Sequence, residues 1–363
     1  MAGIIKKRHH AHKSGFHRKG VNEAGYICPR FNLESRRLAW LKTIRSASSR
    51  AAATAMLTSN TWRSKYQDVA GPDRAFISTY QMEIADLDPA LSGLRIVQLT
   101  DIHHGPWLPI EFVDAIMERV NAMKPDIVAL TGDYVVNSPR YIYPVVESIG
   151  RLTPSIGTVA VLGNHDWWEG GPELADALEG AGVILLDNTR KTLTLDRQIV
   201  DFTHEGLCLA GVGDPWADRV DFDAALAEVP DSLPRILLSH NPDAAEDRRL
   251  IEAGYRIDLM LSGHTHGGQV CFPKNGMPVL PKVRKQKYGR GLIFGPQCPV
   301  YVSRGIGTAG VPLRLGADPE IAAFDLVATG KPPWFIRADE TGNSLAQNDA
   351  GTADPGLQTP SHH

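Results

Sequence analysis

Two histidines, His264 and His266, sit inside a glycine-rich stretch, Leu261-Ser262-Gly263-His264-Thr265-His266-Gly267-Gly268-Gln269. Imidazole is the commonest protein ligand for borderline metals. On a strand this spacing aims both rings the same way, and on the loop beyond it they can converge. The flanking glycines remove Cβ atoms where backbone must crowd a ligand or turn to positive φ. Taken alone, the pair reads equally well as a tight turn holding two satisfied rings. Other ligand-type residues decide: Asp101 and His103, Asp133, Asn164 and His165, and His240. Carboxylate and imidazole donors suit manganese, iron or zinc, and the absence of cysteine argues against a closed structural zinc site.

Each of these residues follows an apolar run. Leu94-Arg95-Ile96-Val97-Gln98-Leu99-Thr100 leads to Asp101, and Asp126-Ile127-Val128-Ala129-Leu130 leads to Thr131-Gly132-Asp133. Thr158-Val159-Ala160-Val161-Leu162 leads to Gly163-Asn164-His165-Asp166, and Arg235-Ile236-Leu237-Leu238 leads to Ser239-His240. Between the first two runs, Ile110, Phe112, Val113, Ile116, Met117, Val120 and Met123 fall at helical spacing until Pro125. Helices are predicted over 143–152, 173–179 and 244–253, and further strands over 183–186, 192–195, 207–212, 301–303 and 321–327. Alternating strands and helices imply parallel pairing with right-handed crossovers, and sites in such sheets form beyond the carboxyl ends of strands. All the candidates lie there. Buried carboxylates and imidazoles must be paired or ligated, so unrelated polar residues would need several coincidences at one sheet edge.

The set suffices for two ions sharing one bridge. Asp133 is the natural bridge, giving one oxygen to each ion. Asp101, His103 and His266 complete one site; Asn164, His240 and His264 complete the other. The neutral Asn164 ligates without adding charge, so the cluster stays cationic and attracts an anionic substrate.

In order, Asp-x-His, Gly-Asp, Gly-Asn-His-Asp, His and Gly-His-x-His resemble the calcineurin-like metallophosphoesterases, over roughly residues 94–328. The resemblance implies an α/β fold, a two-sheet β-sandwich flanked by helices in four layers, αββα. It also implies two divalent metal ions held by Asp101, His103, Asp133, Asn164, His240, His264 and His266. Gly-Gly-Gln after the last motif, Tyr301-Val302-Ser303-Arg304-Gly305-Ile306-Gly307-Thr308 and Pro319-Glu320-Ile321 resemble a bacterial phosphodiesterase branch. That branch has exported or membrane-associated members, some similar to UDP-diacylglucosamine pyrophosphatases. The activity so implied is hydrolysis of a phosphodiester by a water activated between the ions. A phosphomonoesterase or a nucleotide-lipid pyrophosphatase on the same site is the alternative. A non-catalytic scaffold would be expected to have lost a ligand or His165, and neither is lost. His165, not needed as a ligand, is placed to donate to the leaving oxygen or to transition-state oxygens. Asp166 either holds the other nitrogen of His165 or caps a helix. Trp167 and Trp168 could wall the substrate pocket, His104 could touch substrate and Arg304 could bind phosphate. The basic residues Lys282, Arg284, Lys285, Lys287 and Arg290 could grip a head group or, more simply, face solvent.

The remainder of the 363 residues carries less. Net charge is −3, so no basic surface for nucleic acid is evident. Cys28, Cys208, Cys271 and Cys298 form no CxxC pair. Residues 1–60 read as a disordered basic arm or a degenerate targeting segment, 61–330 as the phosphoesterase domain, and 331–363 as a disordered polar tail. Ser35-Arg36-Arg37-Leu38-Ala39-Trp40-Leu41-Lys42 resembles a twin-arginine signal, but Arg45 and Arg50 interrupt the apolar segment it needs. No apolar run is long enough to span a bilayer. The location expected is cytoplasmic or peripheral to a membrane, with twin-arginine export the second reading. The partner expected is a small or lipid-linked phosphoester; oligomeric state has no signal here.

Overall fold

In the strand Arg95–Leu99, Val97 and Leu99 pack under helices while Ile96 packs against a second sheet. A strand buried on both faces needs apolar residues in both registers, which is why these segments read as unbroken hydrophobic runs. The computed structural model describes residues 75–271, 287–310 and 312–330. The expectations for 1–60, for 331–363 and for Lys282, Arg284 and Lys285 lie outside these residues.

The strands, in chain order, are β1 (Phe76–Ala85), β2 (Arg95–Leu99), β3 (Ile127–Thr131), β4 (Gly157–Val161), β5 (Ile184–Leu185), β6 (Thr189–Leu193), β7 (Ile199–Val200), β8 (Leu207–Gly211), β9 (Arg235–Leu238), β10 (Leu259–Ser262), β11 (Gly291–Phe294), β12 (Pro299–Val302) and β13 (Glu320–Thr329). The α-helices are α1 (Ile110–Ala122), α2 (Ile142–Ile149), α3 (Asn164–Gly180), α4 (Phe222–Leu226) and α5 (Arg248–Ala253).

Two sheets result, ordered β1-β13-β2-β3-β4-β5 and β11-β12-β10-β9-β8-β6-β7. β2 to β5 run parallel, as do β8, β9, β10 and β12, with antiparallel partners flanking both blocks. One core fills the space between α1, α2 and α3 and the first sheet. A second lies between the sheets, where Ile127, Val159 and Phe324 meet Leu209, Ile236 and Leu261. A third lies under α4 and α5. This is the four-layer αββα sandwich. Among the described residues no helix is long and apolar enough to cross a membrane.

The structure adds elements that the strand-and-helix pattern missed. β1 pairs with β13 along its full length, Phe76↔Glu320 to Ala85↔Thr329. Half-buried and exposed residues alternate over the outer part of the strand, as on a sheet edge. The helix expected at 173–179 begins instead at Asn164, inside the ligand motif. It runs through a break at Gly170, whose φ of 151° no other residue type adopts readily, followed by Pro172. The segment expected to be helical at 244–253 divides into a 3₁₀ turn at Pro242–Glu246 and α5.

Candidate metal centre

The carboxyl ends of β2, β3 and β4 in one sheet face those of β9 and β10 in the other, and the two edges are tied directly. Thr131 O accepts from His240 Nδ1 at 2.8 Å, and Gln98 Nε2 donates to Thr131 Oγ1 at 2.9 Å and to Ser262 O at 3.0 Å. Beyond the strands the ladders continue through Asp101 N–H to Gly132 O and Gly263 N–H to His240 O, each 2.9 Å. The His264 N–H then donates to the Asp101 carboxylate, 2.9 Å to Oδ2.

The turns that follow are tight. Asp101, His103, Asp133, His264 and His266 all have positive φ, between 49° and 70°. For non-glycine residues this conformation costs about 1–3 kcal/mol each and persists only where surroundings enforce it. The glycines beside them are steric requirements. A Cβ on Gly263 would lie 2.2 Å from Asp101 Oδ2, and one on Gly163 would lie 2.3 Å from Asp133 Oδ1.

Asp101, His103, Asp133, Asn164, His165, His240, His264 and His266 are thereby brought together, all buried. Three overlapping groups emerge: Asp101, His103 and His266; His103, Asp133 and His165; and Asp133, His240 and His264. His266 Nε2 lies 3.2 Å from Asp101 Oδ1 and 3.0 Å from His103 Nε2. His240 Nε2 lies 3.1 Å from Asp133 Oδ2 and 3.3 Å from His264 Nδ1.

The expected bridge through both Asp133 oxygens is corrected by the geometry. Oδ1 accepts the His165 backbone N–H at 2.8 Å. Oδ2 alone faces both halves, 3.4 Å from His103 Nε2 and 3.1 Å from His240 Nε2. The start of α3 thus turns Oδ1 toward the helix, and Oδ2 is the oxygen that faces both groups.

Electrostatics point the same way. Burial raises the cost of charge on Asp101, yet His266 and His103 beside it hold its carboxyl well below the usual range. Burial likewise acts on Asp133, and the neighbouring His240 and His165 outweigh it. Burial disfavours charge on His240 as well, but Asp133 raises its affinity for a proton well above the ordinary value. Burial, with the positive His240 adjacent, drives His264 down to about 3. The carboxylates demand positive charge here, and His264 stays a neutral lone-pair donor. His240 donates through Nδ1 to a carbonyl, so its Nε2 is the atom aimed at the cluster. Among the described residues no protein group hydrogen-bonds the buried Asn164 Oδ1. Orphaned acceptors in a buried cluster are costly unless a cation takes them. The donor set fits divalent metal ions.

The other predicted residues fall differently. His165 stacks edge-on to His103, ring centroids 4.8 Å apart. The Asp166 carboxylate takes four backbone N–H groups: Gly163 and Asp133 on Oδ2, Tyr134 and Val135 on Oδ1, between 2.7 and 3.2 Å. As the third helical residue it accepts the Gly163 N–H and so closes the first turn of α3 from one side, and it shapes the Asp133 turn, in place of the expected catalytic role beside His165. Trp167 packs into the helix-covered core, and a Cβ on Gly171 would strike its ring at 2.4 Å. It is Trp168 that meets the site, 4.8 Å from the His165 ring. The expected substrate contact of His104 gives way to packing. His104 Nδ1 pairs with Leu108 O at 2.9 Å and its ring meets Tyr141. The Arg304 guanidinium lies over the Phe76 ring at 4.4 Å, turned to β1. Lys287 pairs with Glu246, and Arg290 donates to Gly316 O.

Two residues that the sequence reading passed over touch the centre. The Arg314 guanidinium reaches His266 Nδ1 at 3.2 Å, and the Trp216 ring packs on His264 at 4.4 Å. Neither has a local motif; a signal could only have come from pairing loops far apart in the chain.

A family model described as calcineurin-like phosphoesterase matches residues 94–268. The chain is 33% identical over 241 residues to the metallophosphoesterase YkuE of Bacillus subtilis (strain 168), covering 65% of this chain and 80% of that one. It is 32% identical over 238 residues to Phosphodiesterase YaeI of Escherichia coli (strain K12), covering 64% and 82%. A "Transmembrane protein with metallophosphoesterase domain" of Bos taurus is 32% identical over 263 residues, 69% of this chain and 57% of the bovine one.

Proposed function

The chain belongs to the calcineurin-like phosphoesterase family of metal-dependent phosphoester hydrolases, and from that premise we propose that its buried cluster holds two divalent ions and hydrolyses phosphodiesters. One observation carries the two-ion reading. Asp133 Oδ2 stands between His103 and His240, with Asp101 and His266 beyond the first and His264 beyond the second. Asp101, His103 and His266 would hold one ion, Asn164, His240 and His264 the other, with Asp133 common to both. Manganese, iron and zinc suit this oxygen and nitrogen donor set. The phosphodiester preference is supported by the relative named a phosphodiesterase.

Two ions held in this way supply a nucleophilic water at neutral pH and positive charge for the phosphoryl oxygens. The chain's own residues do the remainder. Asp166 and the Asp133 turn fix the start of α3, so the His165 ring is presented at the edge of the cluster. From there His165 donates a proton to the leaving oxygen or a hydrogen bond to the phosphoryl group. Trp168 backs the ring and limits its rotation.

The test is metal analysis of protein purified without chelator, followed by turnover of bis(p-nitrophenyl) phosphate and p-nitrophenyl phosphate with added manganese. The expected result is close to two ions per chain and faster cleavage of the diester. A chain that stays inert after manganese or iron is added overturns the reading, and a preference for the monoester replaces phosphodiester with phosphomonoester.

A further inference from the structure

Trp216 is the one large aromatic side chain among the described residues that is both exposed, at 36%, and in ring contact with a cluster histidine. Its indole stands at 83° to the buried His264 ring with centroids 4.4 Å apart. The position is built. β8 ends at Gly211, and Asp214, fully buried, accepts the N–H of Trp216 at 2.8 Å and of Ala217 at 3.1 Å on Oδ1. Asp214 O accepts from Ala217 and Asp218, closing a tight turn. Asn188 cradles the same loop, Oδ1 accepting from Gly213 and Asp221 and Nδ2 donating to Arg219 O. Gly213 admits no side chain there, since a Cβ would lie 2.2 Å from Arg219 O. An exposed indole on a mobile loop is ordinary surface. An indole whose backbone turn is held by buried Asp214 and half-buried Asn188, and whose ring rests on a cluster histidine, is a preorganised wall, which a ligand meets at reduced ordering cost.

The contacts also say where the wall stands. Trp168 lies against His165, which lies against His103; Trp216 lies against His264, which lies against His240. Asp133 Oδ2 is between His103 and His240. The two indoles therefore meet different histidines of the cluster, Trp168 through His165 beside His103 and Trp216 through His264 beside His240. A phosphodiester centred on the cluster has two ester arms, and a monoester has one.

We infer that Trp216 is a specificity-determining residue of this site, its free face packing against an aromatic ester arm of a phosphodiester. The inference rests on the hydrolase reading above for the chemistry that follows binding. Tryptophan is suited to the task, because aromatic pairs add attraction beyond the area they bury.

The test compares two substrates with the same leaving group, bis(p-nitrophenyl) phosphate and methyl p-nitrophenyl phosphate, on manganese-loaded wild type, Trp216→Ala and Trp216→Phe. Taking the ratio of kcat/KM for the two esters cancels leaving-group chemistry and any general loss of active protein. In Trp216→Ala the aryl-over-methyl ratio should fall about tenfold, the order of one aromatic contact, chiefly through KM, and Trp216→Phe should restore most of it. An unchanged ratio, or a ratio that Phe does not restore, overturns the inference. Binding of diphenyl phosphate to the metal-loaded proteins is measured by calorimetry in parallel. If wild type holds metal but cleaves no ester, the hydrolase reading fails by itself, and calorimetry decides. About tenfold weaker binding in Trp216→Ala upholds the wall. Equal affinity, or no binding to wild type, overturns it.

Discussion

Replacing Arg314 by lysine should loosen the metal centre without removing a ligand. The Arg314 guanidinium is buried and makes five hydrogen bonds among the described residues. They run from Nε to Gly307 O, from Nη1 to His266 O and Ala317 O, and from Nη2 to Arg304 O and His266 Nδ1. An arginine only donates. His266 Nδ1 is therefore the acceptor, and in the metal-free chain the ring proton sits on Nε2, facing Asp101 Oδ1 at 3.2 Å and His103 Nε2 at 3.0 Å. Burial lowers the proton affinity of His266, and the charges of His103 and Arg314 lower it further. Both features keep the ring from becoming a full imidazolium and ease loss of the Nε2 proton when a metal takes its place. A lysine has three donors on one nitrogen, so at least two of the five contacts disappear. At about 1.5 kcal/mol for each hydrogen bond to a charged group, the variant should lose roughly 3 kcal/mol, or about 6–12 °C in melting temperature for a domain of this size. Metal affinity should fall ~10- to 100-fold, the usual effect of losing an outer partner of a histidine ligand. Thermal melts with and without manganese separate the two effects. At a manganese concentration of about 100 times the wild-type Kd, linkage stabilises wild type by about 2.7 kcal/mol; a tenfold weaker site gains about 1.4 kcal/mol. The manganese-induced increment should thus shrink to about half or less. A lower baseline with an undiminished increment would show that Arg314 serves only the backbone turns, and the argument about His266 would be wrong.

Asp133→Asn should empty both halves of the centre. Its remaining oxygen is claimed by the His165 N–H, which points the amide nitrogen at His103 and His240; two retained ions with near-normal turnover would refute the shared-oxygen assignment. His165→Ala should keep both ions and lose ~100- to 10,000-fold in maximal rate if the ring is a general acid. That loss should be smaller for esters with good leaving groups, and equal losses across leaving groups would argue for phosphate binding instead. Asp187 supplies a pH test of the adjoining loop. Burial pushes it up to about 8, so the folded chain binds a proton that the unfolded chain releases near pH 4. Its effect is absent at acid pH, and stability declines as pH rises from about 4 to about 8. Asp187→Asn, keeping an oxygen for the Leu162 N–H, should remove that decline. Chemical denaturation should show a gain of a few kcal/mol at about pH 8.5 and almost none near pH 4; a gain equal at both would point to a cause other than titration.

The candidate ligands were legible in the primary structure because each is local to its own strand end. An apolar run, a turn glycine and a donor side chain lie within a few residues in every case but His240, where Ser239, Asn241 and Pro242 take the place of the glycine, and burial on both faces makes the runs unmistakable. The same locality explains β2, β3, β4, β9 and β10. The outer strand β1 was not read, because a sheet-edge strand carries polar residues on its free face and its partner β13 lies at the far end of the domain. Trp167 and Trp168 are neighbours that a sequence cannot assign, since one residue of helical rotation sends the first into the core and the second to His165. Composition likewise could not say which oxygen of Asp133 is shared. That depends on the His165 N–H at the first turn of α3, a helix that begins earlier than its apolar spacing suggests.

What the chain order alone determined is the chemistry available: oxygen and nitrogen donors, no thiolate, and parallel strands to carry them to one edge. What tertiary structure decided is which of them meet. His266 and Arg314 are separated by 48 positions, and Trp216 reaches His264 only because β8, β9 and β10 lie side by side. Distances of that kind are set by sheet pairing and by the packing of one sheet on the other. Those forces act on area and shape across the whole core and leave no pattern at any single position.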